Sequence, residues 1–306
     1  AISIYGGFDG TELTLEDRDV SSHHTILTGD IYGDDNSGDN ISENAYHVIS
    51  SMNVITGSII IDGLWIYGGN ANVAAEPLGG GIFIDDSTTV PINVSLCKIR
   101  DNNAINGGGI AVENTSLSLL KAKIKLNNAS LYGGGLYING DLEIDSCLIT
   151  ANKSTLGEGG GIITSGDLSI LNTTISQNSS RTAGGISTYG PSVNVENSII
   201  WGNNSTYGSS AQFHGSYATI GARYSCIEDL PDELSGNGNI SLNPHFANPY
   251  GADGVAGSGD ENYRLFQGSP CIDAGDNTVV TTSRDLDGVL RFIDDPYTVD
   301  TGNDLD

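Results

Sequence analysis

Ile99-Arg-Asp-Asn102 decides the fold of this chain, because the same pattern recurs four more times at a nearly constant interval. The later copies are Ile124-Lys-Leu-Asn127, Ile149-Thr-Ala-Asn152, Ile175-Ser-Gln-Asn178 and Ile200-Trp-Gly-Asn203. Their Asn residues are 25, 25, 26 and 25 positions apart. A second motif keeps step with them: Gly79-Gly-Gly-Ile82, Gly107-Gly-Gly-Ile110, Gly133-Gly-Gly-Leu136, Gly159-Gly-Gly-Ile162 and Gly184-Gly-Ile186. A fixed period of this kind indicates a repeat architecture.

Each repeat contains three short runs in which apolar and polar residues alternate. In one unit these runs are Leu136-Tyr-Ile138, Leu142-Glu-Ile144 and Cys147-Leu-Ile149. Alternation predicts strands with one face buried, and the short Gly, Asn and Asp turns leave no room for a helix. The repeat lacks the leucine-rich repeat frame and is too short for a propeller blade. The sequence therefore predicts an all-β parallel β-helix with three strands and about 25 residues per coil.

Stacked coils place equivalent residues in columns about 4.8 Å apart. Three inward columns are expected: Ile92, Leu117, Leu142, Leu168, Val193; Ile99, Ile124, Ile149, Ile175, Ile200; and Cys97, Ala122, Cys147, Thr173, Ser198. A ladder of side-chain amides is expected from Asn102, Asn127, Asn152, Asn178 and Asn203. Such a ladder satisfies the turn backbone that stacking buries, so these Asn residues are interpreted as structural.

We expect a single β-helix domain over residues 1–306, with roughly ten to twelve coils. Residues 1–62 are assigned to irregular N-terminal coils, with Ile2 and Ile4 at buried strand positions. Residues 63–205 are the regular repeats. Residues 206–306 are expected to form less regular coils and a C-terminal cap over the exposed strand edges.

The composition restricts the partners of this protein. Twelve basic and 38 acidic residues give a formal net charge of −26, which disfavours nucleic acid and anionic membranes as partners. The sequence contains no run of 18 apolar residues, which a membrane span would need, and we recognise no signal peptide in it. The chain is expected to begin after a removed leader or partway into a longer protein. An extracellular or cell-surface location fits these features.

Several motifs resemble those of secreted bacterial right-handed β-helix proteins. Tyr5-Gly-Gly-Phe-Asp-Gly-Thr-Glu12 resembles their N-terminal region, and the two repeat motifs resemble units of the pectin-lyase-like superfamily and of polymorphic outer-membrane proteins. Gly268-Ser-Pro-Cys-Ile-Asp-Ala-Gly-Asp276 resembles their closing segment, which a surface anchor often follows. The resemblance implies right-handed coiling. It does not select a function, because this superfamily contains lyases, glycoside hydrolases and adhesins.

Five of the twelve basic residues form a cluster in two neighbouring coils, here called the basic cluster. They are Lys98, Arg100, Lys121, Lys123 and Lys125. Ile99 and Ile124 point inward, so the basic residues on either side of them in the strands point outward. The cluster is a candidate site for an acidic glycan, and a lyase would use such a base beside a uronate carboxylate. The alternative is a cluster that nearby carboxylates neutralise, with Asp101, Glu113 and Glu143 as the candidates.

An acidic loop is the candidate metal site, with calcium as the expected cofactor. Its oxygen donors are Asp30, Asp34, Asp35, Asn36, Asp39 and Asn40. Such a set suits calcium, although the spacing is not that of an EF-hand. A solvated acidic loop is the alternative. Asp285, Asp287 and Asp294 or Asp295 form a weaker second candidate.

Four cysteines divide into two pairs. Cys97 and Cys147 lie two coils apart in one column, beyond disulfide reach. Cys226 and Cys271 lie in the irregular C-terminal part, where a disulfide is predicted and a pair of free thiols is the alternative.

Three functions remain open at this point. The first is a non-catalytic surface protein, an adhesin, glycan-binding module or scaffold, and it is preferred because stacking explains nearly every repeated residue. No catalytic residue is assigned. The second is a polysaccharide lyase or glycoside hydrolase acting on acidic glycans. The third is a subunit that assembles end to end through its strand edges.

Overall fold

The computed structural model describes residues 1–35, 40–52, 57–73, 75–85, 91–207, 211–215, 219–258, 260–291, 293 and 295–303. In this part of the chain the strands wind into a parallel β-solenoid with about 26 residues per turn. Four parallel sheets, here numbered in the order in which a coil passes through them, form its sides. The predicted fold class is confirmed.

Two sheets of eight strands each form adjoining sides of the solenoid. Sheet 1 consists of Ile2–Tyr5, Ile59–Asp62, Ile92–Ser95, Leu117–Leu120, Leu142–Asp145, Leu168–Leu171, Ser192–Glu196 and Thr219–Arg223. Sheet 2 consists of Thr25–Thr28, Leu64–Tyr67, Lys98–Arg100, Lys123–Lys125, Leu148–Thr150, Thr174–Ser176, Ile199–Trp201 and Cys226–Ile227.

Two further sheets complete each coil. Sheet 3 consists of Asn70–Ala71, Asn103–Asn106, Asn128–Tyr132, Lys153–Ser154, Ser179–Ser180 and Asn204–Ser205. Sheet 4 consists of Ile49–Met52, Ile82–Asp85, Ile110–Glu113, Leu136–Asn139, Ile162–Thr164, Ile186–Thr188 and Phe213–Gly215.

Two details of the predicted coil differ from the structure. Each regular coil has four strands rather than three, because the residues directly after the ladder Asn form the short strands of sheet 3. The described residues supply at most eight strands to a sheet, fewer than ten to twelve coils would need. The expected count was too high because the described residues after Ile227 add no strand to the four sheets.

The core lies between the four sheets and is built from stacked aliphatic side chains. Leu117 pairs in register with Leu142, and Ile124 with Ile149, and all four are buried. Burial of such columns is the main stabilising term of the fold. The expectation for Ile2 and Ile4 was wrong: both are exposed, because their strand lies at the edge of sheet 1, where no coil covers them.

Asn side chains form a continuous ladder along one corner of the solenoid. Each Nδ2 donates to the Oδ1 of the next Asn at 3.0 Å, from Asn102 through to Asn203. Each also donates to the carbonyl of a core Ile in the preceding coil, as Asn152 does to Ile124 O at 2.9 Å. The ladder ends where Asn203 donates to Gln212 Oε1 at 2.7 Å. All ladder atoms are buried, so the ladder satisfies backbone groups that water does not reach.

The C-terminal part has two distinct roles. Residues 228–242 cover the end of the solenoid, where Leu230 and Leu234 pack against the core. The described residues between 243 and 303, here called the returning segment, then run back along the outer face of sheet 2 and carry the antiparallel pair Phe246–Asn248 and Asn262–Leu265. Four 3-10 turns complete the described structure: Leu15–Asp17, Ile41–Glu43, Asp232–Leu234 and Asn277–Val279. No helix among the described residues is long and apolar enough to cross a membrane.

Candidate functional site

The outer face of sheet 4 carries a groove with several features of a binding site. Outward positions in register across this sheet are Phe83, Ala111, Tyr137, Ile163, Ser187 and His214. These side chains alternate with the core residues; Phe83, Ala111, Ile163 and Ser187 are buried, whereas Tyr137 and His214 are partly exposed. Their variety contrasts with the uniform inward columns, and the partly exposed side chains of this face are available for binding.

A groove of about 350 Å³ lies on this face. We call it the tyrosine groove, and its lining includes Tyr132, Tyr137, Asn139, Ile163, Ser165 and Tyr189. Ser165 Oγ donates to Asn139 Oδ1 at 2.8 Å, which holds the two polar groups together. The wall residue Tyr132 rests on the backbone of Gly157, where a Cβ would lie 3.1 Å from its ring and 2.0 Å from Leu131 O. Gly157 is therefore required for the close approach of these two coils.

Glu158 is held at one side of the tyrosine groove by three groups that converge on a single carboxylate oxygen. Ser187 Oγ donates to Glu158 Oε2 at 2.8 Å and Tyr189 Oη donates to it at 2.9 Å. His214 Nδ1 lies 3.4 Å from the same oxygen. The Glu158 side chain is 21% exposed. Its position is therefore fixed while the side chain stays partly exposed.

The groove environment raises the pKa of two phenols. Burial raises the pKa of Tyr189 to about 12, and the hydrogen bond to Glu158 and the charge of that carboxylate act in the same direction. Burial also raises the pKa of Tyr137, with contributions from Glu113 and Tyr132. Both phenols therefore remain neutral hydrogen-bonding groups at physiological pH.

A second carboxylate, Glu113, lies near the groove. Asn139 Nδ2 donates to Glu113 Oε2 at 2.8 Å, and the Glu113 charge contributes to the raised pKa of Tyr137. Asn139 pairs with Glu113 across adjacent strands of sheet 4. The tyrosine groove thus combines aromatic rings, neutral amide and hydroxyl groups, and carboxylates.

Four of the five residues of the basic cluster, all but Lys121, lie on sheet 2 in register across adjacent coils, as the sequence predicts, but the returning segment covers part of the cluster. Lys123 pairs in register with Lys98, and Lys125 with Arg100. Lys123 Nζ lies 2.9 Å from Asp287 Oδ1, and the buried Lys125 Nζ lies 3.5 Å from Glu261 Oε2.

Arg100 pairs with Asp101, one of the three carboxylates expected to neutralise the cluster. The partners of Lys123 and Lys125 come from the returning segment instead. Glycan binding by the cluster stays a prediction, and it now concerns the uncovered side chains, chiefly Lys98 and Arg100.

Lys98 forms an aromatic stack at the uncovered end of the cluster. Its Nζ lies 4.2 Å from the centroid of Trp65, whose ring stacks on His24 at 3.9 Å. Burial lowers the pKa of Lys98, and the nearby Arg100, Lys125 and Lys123 lower it further. Lys121 occupies a left-handed turn position with a φ of 50°.

The acidic loop brings part of the predicted metal site together. Asp30, Asp34 and Asp35 are joined by Glu43, which the sequence did not single out. Asn40 donates to Asp34 Oδ2 at 3.2 Å. Asn36 and Asp39 lie outside the described residues.

The second candidate metal site is not assembled among the described residues. Asp287 is paired with Lys123 and Arg264, while Asp295 lies against Asp273 through its backbone N–H. Asp294 lies outside the described residues.

Cys226 and Cys271 are adjacent, as the predicted disulfide requires, and both are free thiols in this structure. The hydrogen bond with Cys271, together with burial, raises the pKa of Cys226, and Cys226 Sγ donates to Leu242 O at 3.2 Å. The disulfide itself stays a prediction. Cys97 and Cys147 are buried and free.

Glu158, Tyr137 and Tyr189 are the main groove residues that sequence reasoning missed. For Tyr137 the signal was the outward position two residues after each Gly triplet, and these positions can be stacked in the same way as the inward ones. Glu158 directly precedes a triplet and Tyr189 lies four residues after Gly185, so this position marks neither of them. The signal is weak because these positions do not repeat, so no single motif marks them.

Comparison with protein-family models, curated proteins and solved structures finds no match for this chain. The β-solenoid is therefore established by the strand pairing itself. The resemblance to the pectin-lyase-like superfamily, the anchor-type closing segment and the right-handed coiling that the resemblance implies stay predictions.

Proposed function

We propose that this protein is a non-catalytic, extracellular glycan-binding β-solenoid that holds a neutral saccharide in the tyrosine groove. The observation that supports this most directly is the set of Tyr132, Tyr137 and Tyr189 around a groove of about 350 Å³, with a fixed carboxylate at its side. A concave site with aromatic walls and a few placed polar groups is the usual form of a ligand site.

The mixed chemistry of the groove matches a sugar ring. A pyranose has faces of C–H groups, which pack on the electron-rich face of a tyrosine ring, and a rim of hydroxyls. Asn139, Ser165 and Glu158 would accept or donate hydrogen bonds to that rim. Tyrosine also provides a large contact area with little conformational entropy to lose on binding.

The electrostatics of the groove favour an uncharged glycan. Its lining contains no Lys or Arg, and the carboxylates of Glu113 and Glu158 accept hydrogen bonds from the lining residues Asn139 and Tyr189. The protein carries a net charge of −26, which adds a long-range repulsion for polyanions. A uronate polymer would therefore bind here more weakly than a neutral oligosaccharide.

Glu158 is better arranged to position a ligand than to transfer a proton. Its Oε2 already receives two hydroxyl donors and faces His214, so that oxygen is saturated. A glycoside hydrolase is the alternative function of this groove, with Glu113 as the second carboxylate that such enzymes use.

Titration calorimetry with neutral gluco-, xylo- and manno-oligosaccharides tests the proposal, with oligogalacturonate as the acidic comparator. We expect Tyr137→Ala to weaken neutral binding at least about tenfold, since stacking contacts of this kind contribute about 1.4 kcal/mol or more. Tyr297→Ala is the matched control, because Tyr297 is 88% exposed in the returning segment.

The proposal fails if no neutral saccharide binds, or if Tyr137→Ala binds as the wild type does. Product analysis of the same mixtures separates binding from hydrolysis. Turnover that Glu158→Gln abolishes would replace the binding function with a glycosidase.

The uncovered end of the basic cluster supports a second candidate function, the binding of acidic glycans. Lys98 over Trp65 provides a cation beside an aromatic ring, with Arg100 in the adjacent outward column. If oligogalacturonate binding is lost in the double variant Lys98→Ala/Arg100→Ala but kept in Tyr137→Ala, the acidic ligand binds at the uncovered end of the basic cluster. Absorbance of an unsaturated product would indicate the lyase alternative.

The exposed edge strand Ile2–Tyr5 supports end-to-end assembly as a third candidate. Ile2 is 46% and Ile4 is 36% exposed on that edge, and open strand edges pair with other chains. Negative-stain microscopy of concentrated protein would show filaments. Particles that stay single at all concentrations would exclude this function for the chain.

A further inference from the structure

The acidic loop carries an unusual concentration of negative charge at one point. Asp30, Asp34, Asp35 and Glu43 each place a carboxylate oxygen within 4.8 Å of the others. No ion pair among the described residues involves any of the four. Four like charges at this separation repel one another unless a cation lies between them.

Several buried oxygens around this point have no hydrogen-bond partner. They are Asp34 Oδ1, Asp35 Oδ1, Glu43 Oε1 and Asn44 Oδ1. Asn44 is only 6% exposed, and its Nδ2 donates to Asp35 Oδ2 at 2.7 Å, so its amide lies directly against the carboxylates. Buried polar atoms are nearly always paired in proteins, so a group of orphaned acceptors indicates a missing positive partner.

The loop geometry holds these oxygens in place. Asp30 Oδ1 accepts from Gly33 N at 2.6 Å, and Asp30 Oδ2 accepts from Asp35 N at 3.4 Å, so the chain wraps around this carboxylate. The 3-10 turn Ile41–Glu43 then brings Glu43 and Asn44 back, and Asn70 Nδ2 donates to Ile41 O at 2.6 Å. The donors are therefore organised by the fold as well as by the sequence.

We propose that Asp30, Asp34, Asp35, Glu43 and the amide oxygen of Asn44 bind one calcium ion, which fastens this loop to the first complete coil. All five donors are hard oxygens, and calcium accepts about six to eight such ligands in irregular geometry. Two oxygens on one calcium ion lie at most about 5 Å apart, twice the metal–oxygen bond. Magnesium fits less well, because it requires near-ideal octahedral geometry.

Calcium titration of the EDTA-treated, desalted protein tests this site by calorimetry, and terbium luminescence sensitised by the loop residue Tyr32 gives a second readout. We expect one saturable site per chain above weak background binding. We also expect the melting temperature to rise by about 5 °C at saturating calcium. Magnesium should compete poorly.

Asp35→Asn and Glu43→Gln should each weaken calcium binding at least about tenfold. Asp232→Asn, an exposed carboxylate at the far end of the solenoid, is the matched control and should bind as the wild type does. Circular dichroism checks that each variant is folded. If Asp35→Asn does not fold, the test rests on Glu43→Gln alone. A wild-type protein without a saturable site, or variants that bind as it does, would overturn the proposal.

Discussion

Lys123 Nζ lies 2.9 Å from Asp287 Oδ1, although the two residues are 164 positions apart. This contact fastens the returning segment to the outer face of sheet 2. A second contact joins Lys125 to Glu261. Lys125 is the next outward residue of the same strand, and both side chains are almost fully buried. Part of the basic cluster is therefore an internal docking surface for the C-terminal residues.

Lys125→Met is expected to destabilise the docked returning segment by about 3 kcal/mol. The Lys125 and Glu261 side chains are 10% and 5% exposed, and removing one partner leaves the other charge buried without its ion-pair partner. Hydrogen exchange of the strand Asn262–Leu265 measures the effect, because that strand exchanges when the segment leaves sheet 2.

Lys123→Met is the matched control. Its side chain is 37% exposed and that of Asp287 is 45% exposed, so we expect a loss of no more than about 1 kcal/mol. The double variant Lys125→Met/Glu261→Gln should recover much of the stability lost in Lys125→Met. Equal exchange rates in the two single variants would contradict the interpretation of a buried ion pair.

The core and the Asn ladder could be predicted because each column repeats one requirement. Ile124 and Ile149 occupy the same environment, so the period alone indicates their burial and their pairing. Asn127 and Asn152 are connected for the same reason. Sheet 3 was missed because four of its six strands have only two residues, too few to show alternation.

The contacts of the returning segment could not be predicted in this way. Asp287 and Glu261 lie in a region without a period, so nothing in the sequence relates them to Lys123 and Lys125. Glu43 was likewise missed, since a 3-10 turn returns it to Asp30. Sites made from distant irregular segments depend on tertiary packing, which local patterns do not encode.

Asn152→Ala is expected to lower the free energy of unfolding by about 3 kcal/mol or more. Asn152 donates to Ile124 O and Asn178 Oδ1, and its Oδ1 accepts from Asn127 N and Nδ2. Each buried group left without a partner costs about 1–3 kcal/mol. Chemical denaturation measures the change. Asn128→Ala is the control: Asn128 follows the ladder residue Asn127, and its side chain makes two long hydrogen bonds, both of 3.4 Å, so its loss should cost far less. Similar losses in the two variants would show that the ladder is not special.

Tyr189 is expected to ionise later than an ordinary tyrosine. Burial and the hydrogen bond to Glu158 raise its pKa to about 12, so the neutral phenol is favoured in the folded state. The contact contributes its full stabilisation of the folded state below about pH 10, the pKa of a tyrosine in the unfolded chain. This contribution is lost as the pH rises to about 12. The difference in phenolate absorbance between wild type and Tyr189→Phe should appear near pH 12. A difference near pH 10 would show that the contact is absent.

Cys226 and Cys271 are expected to form a disulfide when the protein is kept under oxidising conditions. The two thiols already interact, and closing a loop of about 45 residues restricts the unfolded chain by up to about 4 kcal/mol. Peptide mapping without reductant should recover the linked pair, and reductant should lower the melting temperature of wild type but not of Cys226→Ser. Cys97 and Cys147 serve as internal controls, because burial raises the pKa of each to about 12 and keeps both unreactive to alkylation at pH 8. Labelling of Cys271 at the same rate in oxidised and reduced protein would show that the thiols stay unpaired.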